Sequence, residues 1–164
     1  MECKAVVPTG PLLLHFGGVM TKPVAADSEG SSAVFDLLAL AGDFPESAET
    51  MLIDTRLTEE VAASARLFRI YTAVPAHYHA TCDEYLLVVK GRARVEVEGL
   101  EPQELGPGKL LFFRRGVVHG FPEILEEPLV VFSVDTPWRD PADVHFVDAG
   151  AGTPQSFLRT IPRY

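Results

Sequence analysis

Two histidines one residue apart, His77 and His79, precede an acidic pair, Asp83 and Glu84, in the stretch HYHATCDEYLLVVKG. A third, His119, follows a second apolar run in GKLLFFRRGVVHG. Along a strand, residues two apart point the same way, so the imidazoles of His77 and His79 project to one side. Two imidazoles with a carboxylate beside them form a donor set for a divalent metal; iron, manganese, zinc and nickel all accept such donors. Either Asp83 or Glu84 can supply the carboxylate at this spacing. A neighbouring antiparallel strand can bring His119 to the same centre, so that three of the chain's five histidines serve one site. His15 and His145 have no partner visible in the sequence and are given no role.

The elements that must position these residues are short strands. The 164-residue chain fits one ordinary domain, and its 13 glycines and 13 prolines leave little room for long helices. RLFRIYTAV, EYLLVVKG, ARVEVEG, KLLFF and LVVFSVDTP read as strands, each bounded by turn residues. Within ARVEVEG the alternation turns Ala93, Val95 and Val97 inward. A Gly91 turn closes the strand before it. SAETMLIDTRLT reads as a further strand, TEEVAASA as one or two helical turns capped by Thr58, and DVHFVDAG as a last short strand. VFDLLALAG reads as a short helix or an edge strand, and a Phe157–Leu158 pair in the tail packs on the body. This pattern of strands and turns predicts a sandwich or barrel. Residues 21–33 are small and polar and read as a flexible lead-in.

Composition removes several function classes. A net charge of -9 with no basic run speaks against nucleic acid and anionic membranes as partners. No apolar stretch reaches the length of a membrane span. The first twenty residues carry a single Lys4, and Pro8, Pro11 and two adjacent glycines interrupt them, so they do not read as a secretion signal. Met1 and Met20 both remain as starting residues. The two cysteines, Cys3 and Cys82, do not suggest a disulfide, and the expected location is the cytoplasm. Cys82 reads as a small apolar filler, with a metal ligand or reactive thiol as the alternatives.

Taken together, the two histidine segments make the chain resemble a cupin. The family's first motif runs Gly, five residues, His-x-His, three or four residues, Glu, six residues, Gly. His77, His79, Glu84 and Gly91 hold that spacing, with Tyr71 at the first glycine position. The second motif runs Gly, five residues, Pro-x-Gly, two residues, His, three residues, Asn. Gly108, Gly116 and His119 match it, with Arg114 in place of the proline and Glu123 in place of the asparagine. The match covers roughly residues 65–135.

The resemblance implies an all-β double-stranded β-helix, or jelly roll, with one divalent metal in its mouth. It selects Glu84 over Asp83 and implies the ligand set His77, His79, Glu84 and His119. Four protein ligands saturate a tetrahedral ion, so iron or manganese is favoured over zinc, with zinc and nickel as the alternatives. Dioxygenase, isomerase, decarboxylase and lyase chemistry all fit, as does non-enzymatic binding of a small ligand. Dioxygenase chemistry is the leading expectation, on a small molecule that offers the metal an oxygen donor and rests its body in an apolar cup.

Further candidates for contact with that molecule are Arg69, Tyr71, Tyr85, Phe112 and Phe121. Arg69 and Tyr71 share strand parity with His77, and an inward arginine is a carboxylate clamp. A place on the rim for Arg69, and ordinary core packing for the aromatic residues, are the plainer accounts. The expected organisation is a leader over residues 1–33 and one domain over 34–164. An edge strand is expected to make a homodimer.

Overall fold

The computed structural model describes residues 32–162. The expected leader, with Cys3, His15 and Met20, falls outside them apart from its last two residues. A short helix, α1 (Leu37–Gly42), comes first, and Asp36 caps it by accepting from the backbone N–H groups of Leu38 and Ala39. The strands that follow are β1 (Leu52–Glu59), β2 (Ser64–Ile70), β3 (Val74–Tyr78), β4 (Asp83–Val97) and β5 (Gln103–Leu105). Next come β6 (Leu110–Phe113), β7 (His119–Thr136), β8 (His145–Phe146), the one-turn helix α2 (Pro154–Phe157) and β9 (Leu158–Thr160).

The nine strands form one hydrogen-bonded network that folds into two layers. Strands β4 and β7 pair along most of their length and belong to both layers. In one layer the first half of β4 lies between β6 and the second half of β7, followed by β2, β1 and β9. In the other, the second half of β4 lies between β5 and the first half of β7, followed by β3 and β8. The result is the expected all-β jelly roll. The layers enclose a core of residues such as Leu52, Phe68, Ile70, Leu86, Val88 and Val131. A second cluster, with Ile53, Leu67 and Val130 at its centre, lies under α1 on the outer face of the β1–β2 layer.

Three local expectations need correction. TEEVAASA is not helical. Thr58 pairs with Ala65 and Glu59 with Ser64, so β1 and β2 form a hairpin that satisfies backbone groups a helical turn would leave open. Gly91 does not end a strand: β4 runs through it and bends. Its φ is +80°, and a Cβ there would lie 2.5 Å from the carbonyl oxygens of both Glu126 and Pro128, so only glycine fits this corner. RLFRIYTAV is not one strand either. The chain breaks after Ile70 and resumes as β3, which carries Pro75 within it.

Candidate metal centre

The candidate ligands arrive from three strands. His77 lies in β3 and His79 just beyond it, Glu84 is the second residue of β4, and His119 opens β7. Register places His77 directly opposite His119. All four side chains are buried, each residue 3% exposed. The imidazoles of His77, His79 and His119 bring their ligand atoms within 4.8 Å of one another.

The backbone fixes which nitrogen of each ring faces the centre. Nδ1 of His77 contacts the carbonyl oxygen of Pro75 at 2.9 Å, and that of His79 the carbonyl of Asp143 at 2.5 Å. Nδ1 of His119 contacts the carbonyl of Val117 at 3.0 Å. A carbonyl oxygen can only accept, so each Nδ1 carries the proton and donates it. In the neutral ring Nε2 then holds a lone pair, the form that ligates a metal. Nε2 of His119 is buried and has no hydrogen-bond partner among the described residues. Burial, with the neighbouring His119 and His79, holds His77 well below the ordinary histidine range. Burial also pushes His119 down to about 4. Both are therefore neutral at pH 7.

Glu84 divides its carboxylate between two tasks. Oε1 accepts from Arg66 Nη2 at 2.7 Å and from Ser133 Oγ at 3.1 Å. Oε2 faces Nε2 of His79 at 3.4 Å and of His119 at 3.7 Å. Burial works against its ionisation, but His79, Arg66 and Arg139 outweigh it and hold the carboxyl well below the usual range. The donor set is thus three imidazoles and one carboxylate oxygen, which fits a divalent ion.

Arg66 is the first of three residues that reading the sequence missed. It is 2% exposed, and its guanidinium joins Glu84 to Asp135 at 3.1 Å and to Asp54 at 3.8 Å. Asp135 also meets Arg139 at 3.4 Å. Burial opposes the charge on Arg66, yet the carboxylates of Asp135, Glu84 and Asp54 hold it protonated. Phe113 was missed as well. Its ring stacks on His119 with centroids 4.0 Å apart and planes 6° apart. A third is Asp143, whose carbonyl anchors His79 while its carboxylate accepts from the backbone of Ala80 and Thr81.

Four expected contacts face elsewhere. Arg69 points to the outer side of β2, where it donates to the carbonyls of Pro45 and Glu46 and lies over the Tyr71 ring at 4.6 Å. The Tyr71 hydroxyl donates to the same Pro45 carbonyl. Strand parity fails for both because the phase slips inside β3: Arg66, Phe68, Ile70 and Val74 share one parity facing inward, and the irregularity between Val74 and His77 turns His77 to the same side. Tyr85 and Phe112 pair across β4 and β6 and touch on the outer face, with both rings partly exposed. Their neighbours Glu84 and Phe113 take the inward positions. Phe121 does line the centre. His145 stacks on Tyr78 and contacts Asp143, away from the three imidazoles. Cys82 is buried near Asp135, and burial pushes its thiol up, as befits a filler.

The expected open apolar cup is also corrected. The cavity at the imidazoles measures about 20 Å³, because Leu52, Phe68, Phe121 and Phe157 fill the space in front of them. That is room for an ion or a water. A groove of about 590 Å³ lies nearby, lined by β3 and the ends of β4 and β7. It shares Val74 and His119 with the centre but not His77, His79 or Glu84, so it lies beside the site.

The sequence and the fold agree with known proteins on one family. Residues 70–135 match the cupin domain model, a span that contains all four candidate ligands. Among solved structures, a candidate mannose-6-phosphate isomerase from Ralstonia eutropha is similar at 26% identity and a TM-score of 0.55, covering 64% of this chain and 98% of its own. KdgF from Halomonas is similar at 25% identity and a TM-score of 0.50, covering 55% of this chain and 82% of its own. A double-stranded β-helix protein from Klebsiella pneumoniae shares the fold at 18% identity and a TM-score of 0.54, covering 66% and 93%. No curated protein matches significantly by sequence. The chain carries a cupin domain. No helix among the described residues is long and apolar enough to cross a membrane.

Proposed function

We propose that this domain binds one divalent metal ion through Nε2 of His77, His79 and His119 and through Glu84, and acts with it on a small molecule. One observation carries the reading. Three buried imidazoles each give their Nδ1 proton to a backbone carbonyl, so three lone pairs converge beside a carboxylate oxygen. Iron or manganese suits this donor set; zinc and nickel use the same atoms. Such an ion, when bound, supplies Lewis acidity and, as ferrous iron, redox capacity toward O2. The protein's part is positioning. Arg66 and Ser133 occupy one oxygen of Glu84 and leave the other free for the centre, while Phe113 holds the plane of the His119 ring. Dioxygenase-type chemistry is the favoured activity, ahead of isomerase, decarboxylase or lyase chemistry.

A second reading is a cupin that binds a small ligand without turning it over. Metal analysis of the purified protein, with equilibrium dialysis against Fe2+, Mn2+, Zn2+ and Ni2+, tests the site; failure to retain any of them rejects it. Turnover of a panel of small carboxylates and aromatic metabolites, with and without O2, then separates the readings. Turnover only with O2 supports oxygenation, and turnover in its absence supports isomerase or lyase chemistry. A retained ion with no turnover supports the binding module.

A further inference from the structure

A cavity of about 20 Å³ cannot admit an organic molecule to the imidazoles, so a ligand larger than water needs a wall to move. The walls are not equally fixed. Phe68 lies on β2, between β1 and β7, and Phe121 on β7, between β3 and β4. Leu52 sits on β1, which pairs with β2 along its length. Phe157 has a much lighter support. It ends the four-residue helix α2 and leads into the three-residue edge strand β9. Its ring is 3% exposed and packs 5.0 Å from the His77 ring.

The backbone attachments of this segment are few, while Phe157 and Leu158 pack on the main core and Ile161 on the cluster under α1. Beyond three residue pairs between β1 and β9, Met51 N–H donates to the Ser156 carbonyl at 2.9 Å. Ile161 N–H donates to the Asp54 carbonyl at 2.8 Å. The cap of α2 is internal to the segment, with Thr153 and Ser156 bonding each other, so it moves with the helix. The chain just before it, Asp148–Ala151, is an exposed turn that can serve as the hinge. Elements held by few backbone hydrogen bonds at a sheet edge open locally, without unfolding the rest.

We propose that residues 153–162 form a lid on the cupin site, and that the Phe157 ring occupies the place a ligand takes beside His77. The purpose of the lid rests on the metal-site reading above; its motion does not. The ring also defines the ligand. Its neighbours at the site are apolar, Leu52, Ile70 and Phe121 among them, and polar groups stand only at the imidazoles, Glu84 and Arg66. The space therefore takes a body about the size of a phenyl ring with one polar end directed at the centre.

The test uses the full chain. Diethyl pyrocarbonate modification, mapped by mass spectrometry, reports access to each histidine, and Phe157→Ala removes the ring while keeping the segment. The variant is expected to raise the rates at His77, His79 and His119 about tenfold or more, since access no longer waits for the open state, and to leave His145 unchanged. Unchanged rates at the three, in a variant whose circular dichroism matches the parent, overturn the lid. Hydrogen exchange on the unsubstituted protein is an independent check. The amides of Phe157, Leu158 and Ile161 should exchange by an opening that low denaturant does not accelerate, while Phe68 on β2 exchanges only through global unfolding. Exchange of both groups by global unfolding alone also overturns it. Repeating the modification with added Mn2+ separates the two ideas. Protection by the ion reports the metal site, and acceleration by the substitution reports the lid.

Discussion

Arg66 and Arg69 stand three residues apart on β2 and could hardly differ more in circumstance. Arg66 is enclosed, with its guanidinium shared among Glu84, Asp135 and Asp54. Arg69 lies on the opposite face, donating to two backbone carbonyls and stacked on a tyrosine. The inner face spends a charge on orienting a candidate metal ligand. The outer face uses the same residue type to fasten a loop. Residue type did not separate the two arginines; strand phase and the charges across the barrel did.

The largest effect that can break this contrast is loss of Arg66. Arg66→Met should cost about 3–5 kcal/mol in urea unfolding, because Glu84, Asp135 and Asp54 would remain buried without their cation. A variant as stable as the parent would mean that the network has no such dependence. Acid comes next. Burial holds His119 to about 4 against an ordinary 6.5, so between those values the unfolded chain takes up a proton that the folded chain does not. Stability should be full above pH 6.5 and fall as pH drops toward 4, by about 3 kcal/mol from this residue in metal-free protein. A flat profile of unfolding midpoint against pH over that window would contradict the neutral imidazole.

Ligand removal should be felt in binding. His77→Ala and His119→Ala are each expected to weaken divalent-metal affinity by about a hundredfold or more in equilibrium dialysis, and His145→Ala to leave it unchanged. Equal affinity in all three would remove the site. The smallest effect belongs to the outer face. Arg69→Ala should cost about 1 kcal/mol through its carbonyl bonds and ring contact, with metal affinity intact. A large drop in metal affinity there would erase the distinction between the two faces.

Much of the centre was legible because its chemistry is local. The His77–His79 spacing, the acidic pair and the turn before His119 are short-range signals; the strands around them read as a sandwich or barrel, and the cupin resemblance narrowed that to the jelly roll and to Glu84. What could not be read depends on where strands break. Counting parity from Tyr71 to His77 assumes unbroken alternation, and the register shift between Val74 and His77 reverses the faces. The Tyr85 and Phe112 placements had an available correction. If Glu84 points in, Tyr85 must point out, and its cross-strand partner Phe112 goes with it. Arg66 gave no signal, since a buried arginine is recognisable only by the carboxylates that distant segments bring to it. The tail was expected to pack through Phe157 and Leu158, but nothing local indicates that it packs against His77.

The order of these parts along the chain has a consequence for assembly. All four candidate ligands lie between residues 77 and 119, and Phe157 follows the last of them at a distance. During synthesis the ligand set leaves the ribosome before the segment that covers it. With residues 153–162 acting as the lid proposed above, an ion present at that stage would meet an uncovered mouth, whereas one offered to the finished protein would wait for the lid to open. Protein made in metal-supplemented cells and protein loaded afterwards should therefore differ in how fast they fill, even where they reach the same final occupancy.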